Sequence, residues 1–157
     1  MLIDDDEPTN YYNSLIIEET GCADHVQVVQ SGKKALEYLM NSEGFPASRN
    51  SSPSPDLIFL DINMPAMNGW EFLDKYRKIK KDDVKPVLVM LTTSLFPEDL
   101  LKAKAMPEIS GFESKPLTPE IIDKILRKYF VGSTCADKDD KLKNIQQPPP
   151  PGSKFAS

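Results

Sequence analysis

Two unbroken apolar stretches, Leu57-Ile58-Phe59-Leu60 and Val87-Leu88-Val89-Met90-Leu91, constrain the fold more than any other feature of this chain. Each has the length of a strand, and neither alternates with polar residues. Each must therefore be covered on both faces, as the strands of a parallel sheet are. Both runs also stop at polar side chains: the first at Asp61, the second at Thr92-Thr93-Ser94. Parallel neighbours need crossover connections, and the intervening segments carry helical spacing.

The remaining segments repeat this alternation. Leu2-Ile3 closes an apolar run at Asp4-Asp5-Asp6. Asp6 reads as a helix N-cap with Pro8 in the first turn, Tyr12, Leu15, Ile16 and Glu19 recur at helical spacing, and Gly21 stops the helix. Val26, Val28 and Val29 make a short strand, and Ser31-Gly32 leads into a helix whose expected buried stripe is Ala35, Leu36, Leu39 and Met40. Residues 41–55 are a loop by composition. Trp70, Leu73, Tyr76 and Arg77 mark a helix after Gly69, and Pro97 opens another through Leu100, Leu101 and Ala105. Gly111 to Ser114 form a strand leading to Lys115-Pro116, and Thr118 caps a last helix with Pro119 at its first position. Five β-α units predict an α/β, doubly wound parallel sheet with helices on both faces. The folded domain is expected over residues 1–130. Residues 131–157, which include Pro148 to Pro151, are polar and without apolar period, and are expected to be a disordered proline-rich tail.

Charge and composition narrow the function. A net charge of −5 offers no basic face for direct nucleic-acid binding and no attraction to an anionic membrane. One histidine, His25, excludes multi-histidine metal sites. Two cysteines, Cys22 and Cys135, are too few for a disulfide framework, which with the lack of a long apolar span predicts a cytoplasmic protein.

In a doubly wound sheet, ligands bind beyond the carboxyl ends of the strands. The polar residues at those ends are Asp4, Asp5 and Asp6, then Asp61 with Asn63 two residues on, then Thr92 and Thr93, then Lys115. Carboxylates converging there would either resist ionising together or demand a cation, and an all-oxygen set suits Mg²⁺. A carboxylate can also accept a phosphoryl group, whose oxygens Mg²⁺, the Lys115 ammonium and the Thr92 hydroxyl would neutralise.

These motifs, Ile3-Asp4-Asp5-Asp6-Glu7-Pro8, Leu60-Asp61-Ile62-Asn63-Met64-Pro65 with Asn68-Gly69, Leu91-Thr92-Thr93 and Phe112-Glu113-Ser114-Lys115-Pro116, resemble the receiver domain of two-component response regulators. The resemblance implies a flavodoxin-like fold of five parallel strands in the order 2-1-3-4-5, over roughly residues 1–130. It implies Asp61 as phosphoacceptor, Asp4, Asp5 and Asp61 with the Asn63 backbone carbonyl as Mg²⁺ ligands, and Asp6 as an alternative to Asp4 or Asp5. It further implies Thr92 and Lys115 as phosphate-binding residues, and Thr92 with Phe112 as a switch pair. The partners implied are a sensor histidine kinase or phosphotransfer protein, and a downstream protein target. The domain would act as a signalling switch, catalysing only its own phosphorylation and dephosphorylation. A haloacid-dehalogenase-type phosphohydrolase would need an acid where Asn63 stands; a receiver-like binding module that takes no phosphate is the third reading.

Overall fold

In a computed structural model, which describes residues 1–41, 53–79, 86–93 and 96–130, both apolar runs become central strands. Strands and helices alternate among these residues: β1 (Leu2–Ile3), α1 (Glu7–Thr20), β2 (Val28–Val29), α2 (Gly32–Met40), β3 (Leu57–Asp61), α3 (Gly69–Ile79), β4 (Val87–Thr92), α4 (Pro97–Lys104), β5 (Gly111–Ser114) and α5 (Pro119–Tyr129). All pairings are parallel, in the order β2-β1-β3-β4-β5. The flavodoxin-like architecture expected from the sequence is therefore the one formed. Most of the 41–55 loop, Ser94 with Leu95, and the 131–157 tail lie outside the described residues.

Strand side chains alternate between two cores, as the pleat requires. Ile3, Ile58, Leu60, Leu88 and Met90 point to one face, against Ala35, Leu36 and Leu39 of α2 and Phe72, Leu73 and Tyr76 of α3. Leu2, Phe59, Val89 and Leu91 point to the other, against Ile17 of α1 and Ile122, Ile125 and Leu126 of α5. Neither face of β3 or β4 meets water, which is why their sequences do not alternate.

The capping signals are realised. Asp6 accepts from the Thr9 N–H at 2.8 Å, Gly21 takes the left-handed conformation at φ 64°, and Thr118 accepts from the Ile121 N–H at 3.3 Å. Asn68 and Glu71 form a reciprocal cap at the start of α3: the Glu71 N–H donates to Asn68 Oδ1 at 2.9 Å, and the Asn68 N–H to Glu71 Oε2 at 3.0 Å.

Four helices depart in part from the faces expected of them. On α1 the buried residues are Asn10, Asn13 and Ile17, whereas Tyr12 and Leu15 are exposed, so two amides face inward. Met40, the last residue of α2, is exposed. On α3 Phe72 joins Leu73 and Tyr76 inside, while Arg77 is solvent-facing and paired with Asp74. On α4 the buried residue is Ala103; Leu101 points outward, and Ala105 falls after the helix end. Val26 precedes β2 and is only half-buried.

Gly69 is fixed by packing. A Cβ there would lie 2.7 Å from the carbonyl oxygen of Asp61 and 3.0 Å from the Ile62 Cα, both backbone atoms. The Gly69 N–H also donates to the Ile62 carbonyl at 2.9 Å. Gly69→Ala should therefore cost about 1–3 kcal/mol of stability in urea unfolding, as overpacking does. An unchanged midpoint would mean the loop yields freely.

Tyr76 lies in the core, stacked on Phe72 with ring centroids 5.9 Å apart. Burial pushes its phenol up to about 12 from 10.0, since the phenolate is poorly solvated there. Between those values the folded chain keeps a proton that the unfolded chain releases, so stability is unaffected below the lower value and falls as pH rises through the window. By about pH 11.5 this residue should have removed about 2 kcal/mol, a loss absent from Tyr76→Phe in paired urea titrations.

Candidate functional site

The strand order brings β1 beside β3 and places the tips of β4 and β5 next to them. Asp4 follows β1, Asp61 and Thr92 end β3 and β4, and all three are buried, at 3%, 4% and 2% exposure. Lys115 follows β5, its N–H donating to the Thr92 carbonyl at 2.8 Å. Its ammonium sits 2.5 Å from Asp4 Oδ2 and 3.0 Å from Asp61 Oδ1. Desolvation alone would lower the Lys115 pKa, but the hydrogen bonds and charges of Asp4 and Asp61 outweigh it, and the net shift is upward from 10.5. Its contribution to stability is therefore complete at neutral pH and is lost only as pH rises beyond that ordinary value.

Asp4 is held at every polar atom. Its N–H donates to the Val29 carbonyl at 3.2 Å, its carbonyl accepts from Asn10 Nδ2 at 2.7 Å, and its Oδ1 accepts from the Asp6 N–H at 3.0 Å. With Oδ2 on Lys115, the side chain has a single orientation.

Asp4, Asp5 and Asp61 each offer a carboxylate oxygen, and these lie within 4.8 Å of one another. Oxygen-only donors of this kind suit a hard cation such as Mg²⁺. Three carboxylates against one ammonium leave two negative charges unmatched, the charge a divalent ion would supply. Asp6 stands apart from the cluster: its carboxylate caps α1, and the Thr9 hydrogen bonds hold its pKa below the usual 3.8. Asn63 is exposed in the loop after β3, between the buried Ile62 and Met64. Phe112 is half-buried, packed with Met106 and Ile109 against the core that contains Leu88 and Met90.

The sequence reading passed over Asn10 and Asn13. Both are buried on the inner face of α1; Asn10 binds the Asp4 carbonyl, and Asn13 Oδ1 accepts the Leu117 N–H at 3.2 Å. The available signal was two amides at helical spacing beside an acidic cluster.

Asp5 is the exposed member of the cluster and takes no part in the Lys115 ion pair. Asp5→Asn should raise the melting midpoint without metal, by removing a like charge. It should also abolish the stabilisation by Mg²⁺, about 1.4 kcal/mol at tenfold the dissociation constant. Thermal melts with and without Mg²⁺ check both; full Mg²⁺ stabilisation in the variant would exclude Asp5 as a ligand.

The sequence profile of the response regulator receiver domain matches residues 1–127. Hybrid signal transduction histidine kinase L of Dictyostelium discoideum is 32% identical over 131 residues, covering 82% of this chain but only 7% of the kinase. The probable methanogenesis regulatory protein FilR2 of Methanothrix harundinacea is 29% identical over 132 residues, covering 80% of this chain and 81% of that protein. Among solved structures, a two-component response regulator from Cytophaga hutchinsonii superposes with a TM-score of 0.69 at 32% identity, covering 82% of this chain and 93% of that one. The profile runs from the first strand to within three residues of the last described position, and this chain belongs to the response regulator receiver family of two-component signalling.

Proposed function

We propose that Asp61 accepts a phosphoryl group from a histidine kinase or phosphotransfer protein in a Mg²⁺-dependent reaction, and that the modified domain changes its affinity for a protein target. The observation that carries this reading is the Lys115 ammonium within 3.0 Å of Asp61, beside the cluster of Asp4, Asp5 and Asp61.

A carboxylate oxygen of Asp61 attacks the phosphorus of a phosphohistidine. The P–N bond breaks, its electron pair leaves with the imidazole, and an acyl phosphate forms on Asp61. Asp4, Asp5 and Asp61 with the Asn63 carbonyl would hold Mg²⁺, which when bound would supply positive charge to the transferring oxygens. Asp6, already engaged as a helix cap, is the poorer candidate. Lys115 exchanges its contact with the free carboxylate for one with the phosphoryl group. The Thr92 hydroxyl, at the tip of the adjacent strand, takes another phosphoryl oxygen. Thr92 and Phe112 then report the modification to the face made by α4, β5 and α5, which meets the target. Phosphorylation favours one of two conformations, and affinity follows the population.

Incubation with acetyl phosphate and Mg²⁺ should give a chain heavier by one phosphoryl group in intact-mass spectra, and Asp61→Asn should show no such gain. An unmodified wild type, or a modified variant, would remove Asp61 from the role.

A further inference from the structure

We infer that Asn10 and Asn13 are positioning residues, a clip on α1 that holds Asp4 and Lys115 in register from outside the ion pair. The inference rests on the phosphoryl-accepting role proposed for Asp61. Asn10 Nδ2 donates to the Asp4 carbonyl at 2.7 Å, and Asn13 Oδ1 accepts the N–H of Leu117, two residues beyond Lys115, at 3.2 Å. Both amides are almost fully buried, at 3% and 1% exposure, and they sit one helical turn apart. One rigid face of α1 is thus bound to the segment after β1 and to the segment after β5. These are the two segments that carry the opposite charges of the site.

The other amide atoms argue that stability alone does not account for these residues. Asn10 Oδ1 and Asn13 Nδ2 are buried and lack a protein hydrogen-bond partner. An apolar side chain of similar size would remove that cost but leave the Asp4 carbonyl or the Leu117 N–H without its partner, so the two effects on stability largely offset. The direct contacts of Lys115 with Asp4 and Asp61 must also rearrange when a cation or a phosphoryl group enters. The two amide contacts involve backbone groups and need not break. They keep the distance between the two segments fixed while the charges exchange partners.

The two residues divide the work. Asn10 acts on Asp4, hence on the cation site; Asn13 acts on Lys115, hence on the phosphoryl site. Outer contacts of this kind carry effects of about 10–100-fold in metal sites. Asn10→Leu should weaken Mg²⁺ binding about tenfold, read from Trp70 fluorescence, while Asn13→Leu leaves it within about twofold. Asn13→Leu should slow acetyl phosphate acceptance at saturating Mg²⁺ about tenfold, and should have little further effect in a Lys115→Ala background, because coupled residues are non-additive. Both variants should melt within about 5 °C of wild type. Where a leucine variant does not fold, the smaller alanine variant gives the same comparison.

Equal losses in both variants for Mg²⁺ and for rate, tracking a fall in melting midpoint, would show a merely structural role and overturn the inference. So would an Asn13→Leu defect that persists in full without Lys115. Failure of the wild-type control to take the phosphoryl group is a separate result: it removes the reading of Asp61, and the inference with it.

Discussion

The ammonium of Lys115, set between Asp4 and Asp61, is the interaction on which the arrangement depends. Buried carboxylates repel and lose solvation, and neither cost is tolerable without a cation in contact. Lys115 supplies it for two of them, at 2.5 and 3.0 Å, and leaves Asp5 and the site as a whole short of positive charge. The three carboxylates consequently form a cluster that could hold a divalent ion, whose charge would offset their repulsion. Parallel order is the condition for this. Because every pairing is parallel, the strand tips all point the same way, and the order sets β1 beside β3 with β4 and β5 following.

The frame holding these charges is stiff where it must be. β3 and β4 are covered on both faces, so Asp61 and Thr92 project from strands with no freedom to slide. The loop after β3 is pressed onto the strand by the close approach of Gly69 to the Asp61 carbonyl. Within the same loop Ala66 adopts φ 64°, a left-handed conformation that costs a non-glycine residue about 1–2 kcal/mol. Strain of this sort persists where surrounding contacts determine the backbone, and here the Met67 N–H to Pro65 carbonyl bond at 2.7 Å and the Gly69 N–H to Ile62 bond flank it.

How legible all this was in the sequence differed by element. β3 and β4 could be read directly, since a doubly covered strand leaves an unbroken apolar run, and their polar ends announced the site. The triple Asp4-Asp5-Asp6 could not be resolved by spacing. Cap geometry separates it, because Asp6 is extended ahead of α1 and its carboxylate turns back to Thr9. α1 was misread for a different reason. The rule that apolar residues face inward assumes an apolar surface below, but the first turns of α1 cover the polar end of the sheet. The backbone groups of Asp4 and Leu117 need partners there, so Asn10 and Asn13 turn in, and Tyr11, Tyr12 and Leu15 are left outside.

α4 stands out among the helices for how little it contributes to either core. It buries Ala103 alone, whereas α1 and α5 each bury three residues and α2 and α3 four. Phe96 and Leu101 are exposed, and Lys102 reaches across to the Trp70 ring, 4.4 Å from its centroid. A helix with so few buried contacts moves at small free-energy cost, and segments of low local stability are the ones that conformational switches use. α4 follows closely after Thr92, and Phe112 on β5 is only half-buried with Met106 and Ile109 beside it. Next in chain order after Thr92 thus comes the helix with the fewest buried residues among those described. The site is tightly held and α4 is sparsely buried, and under the proposed role of Asp61 that contrast would let a charge added there become a change of surface.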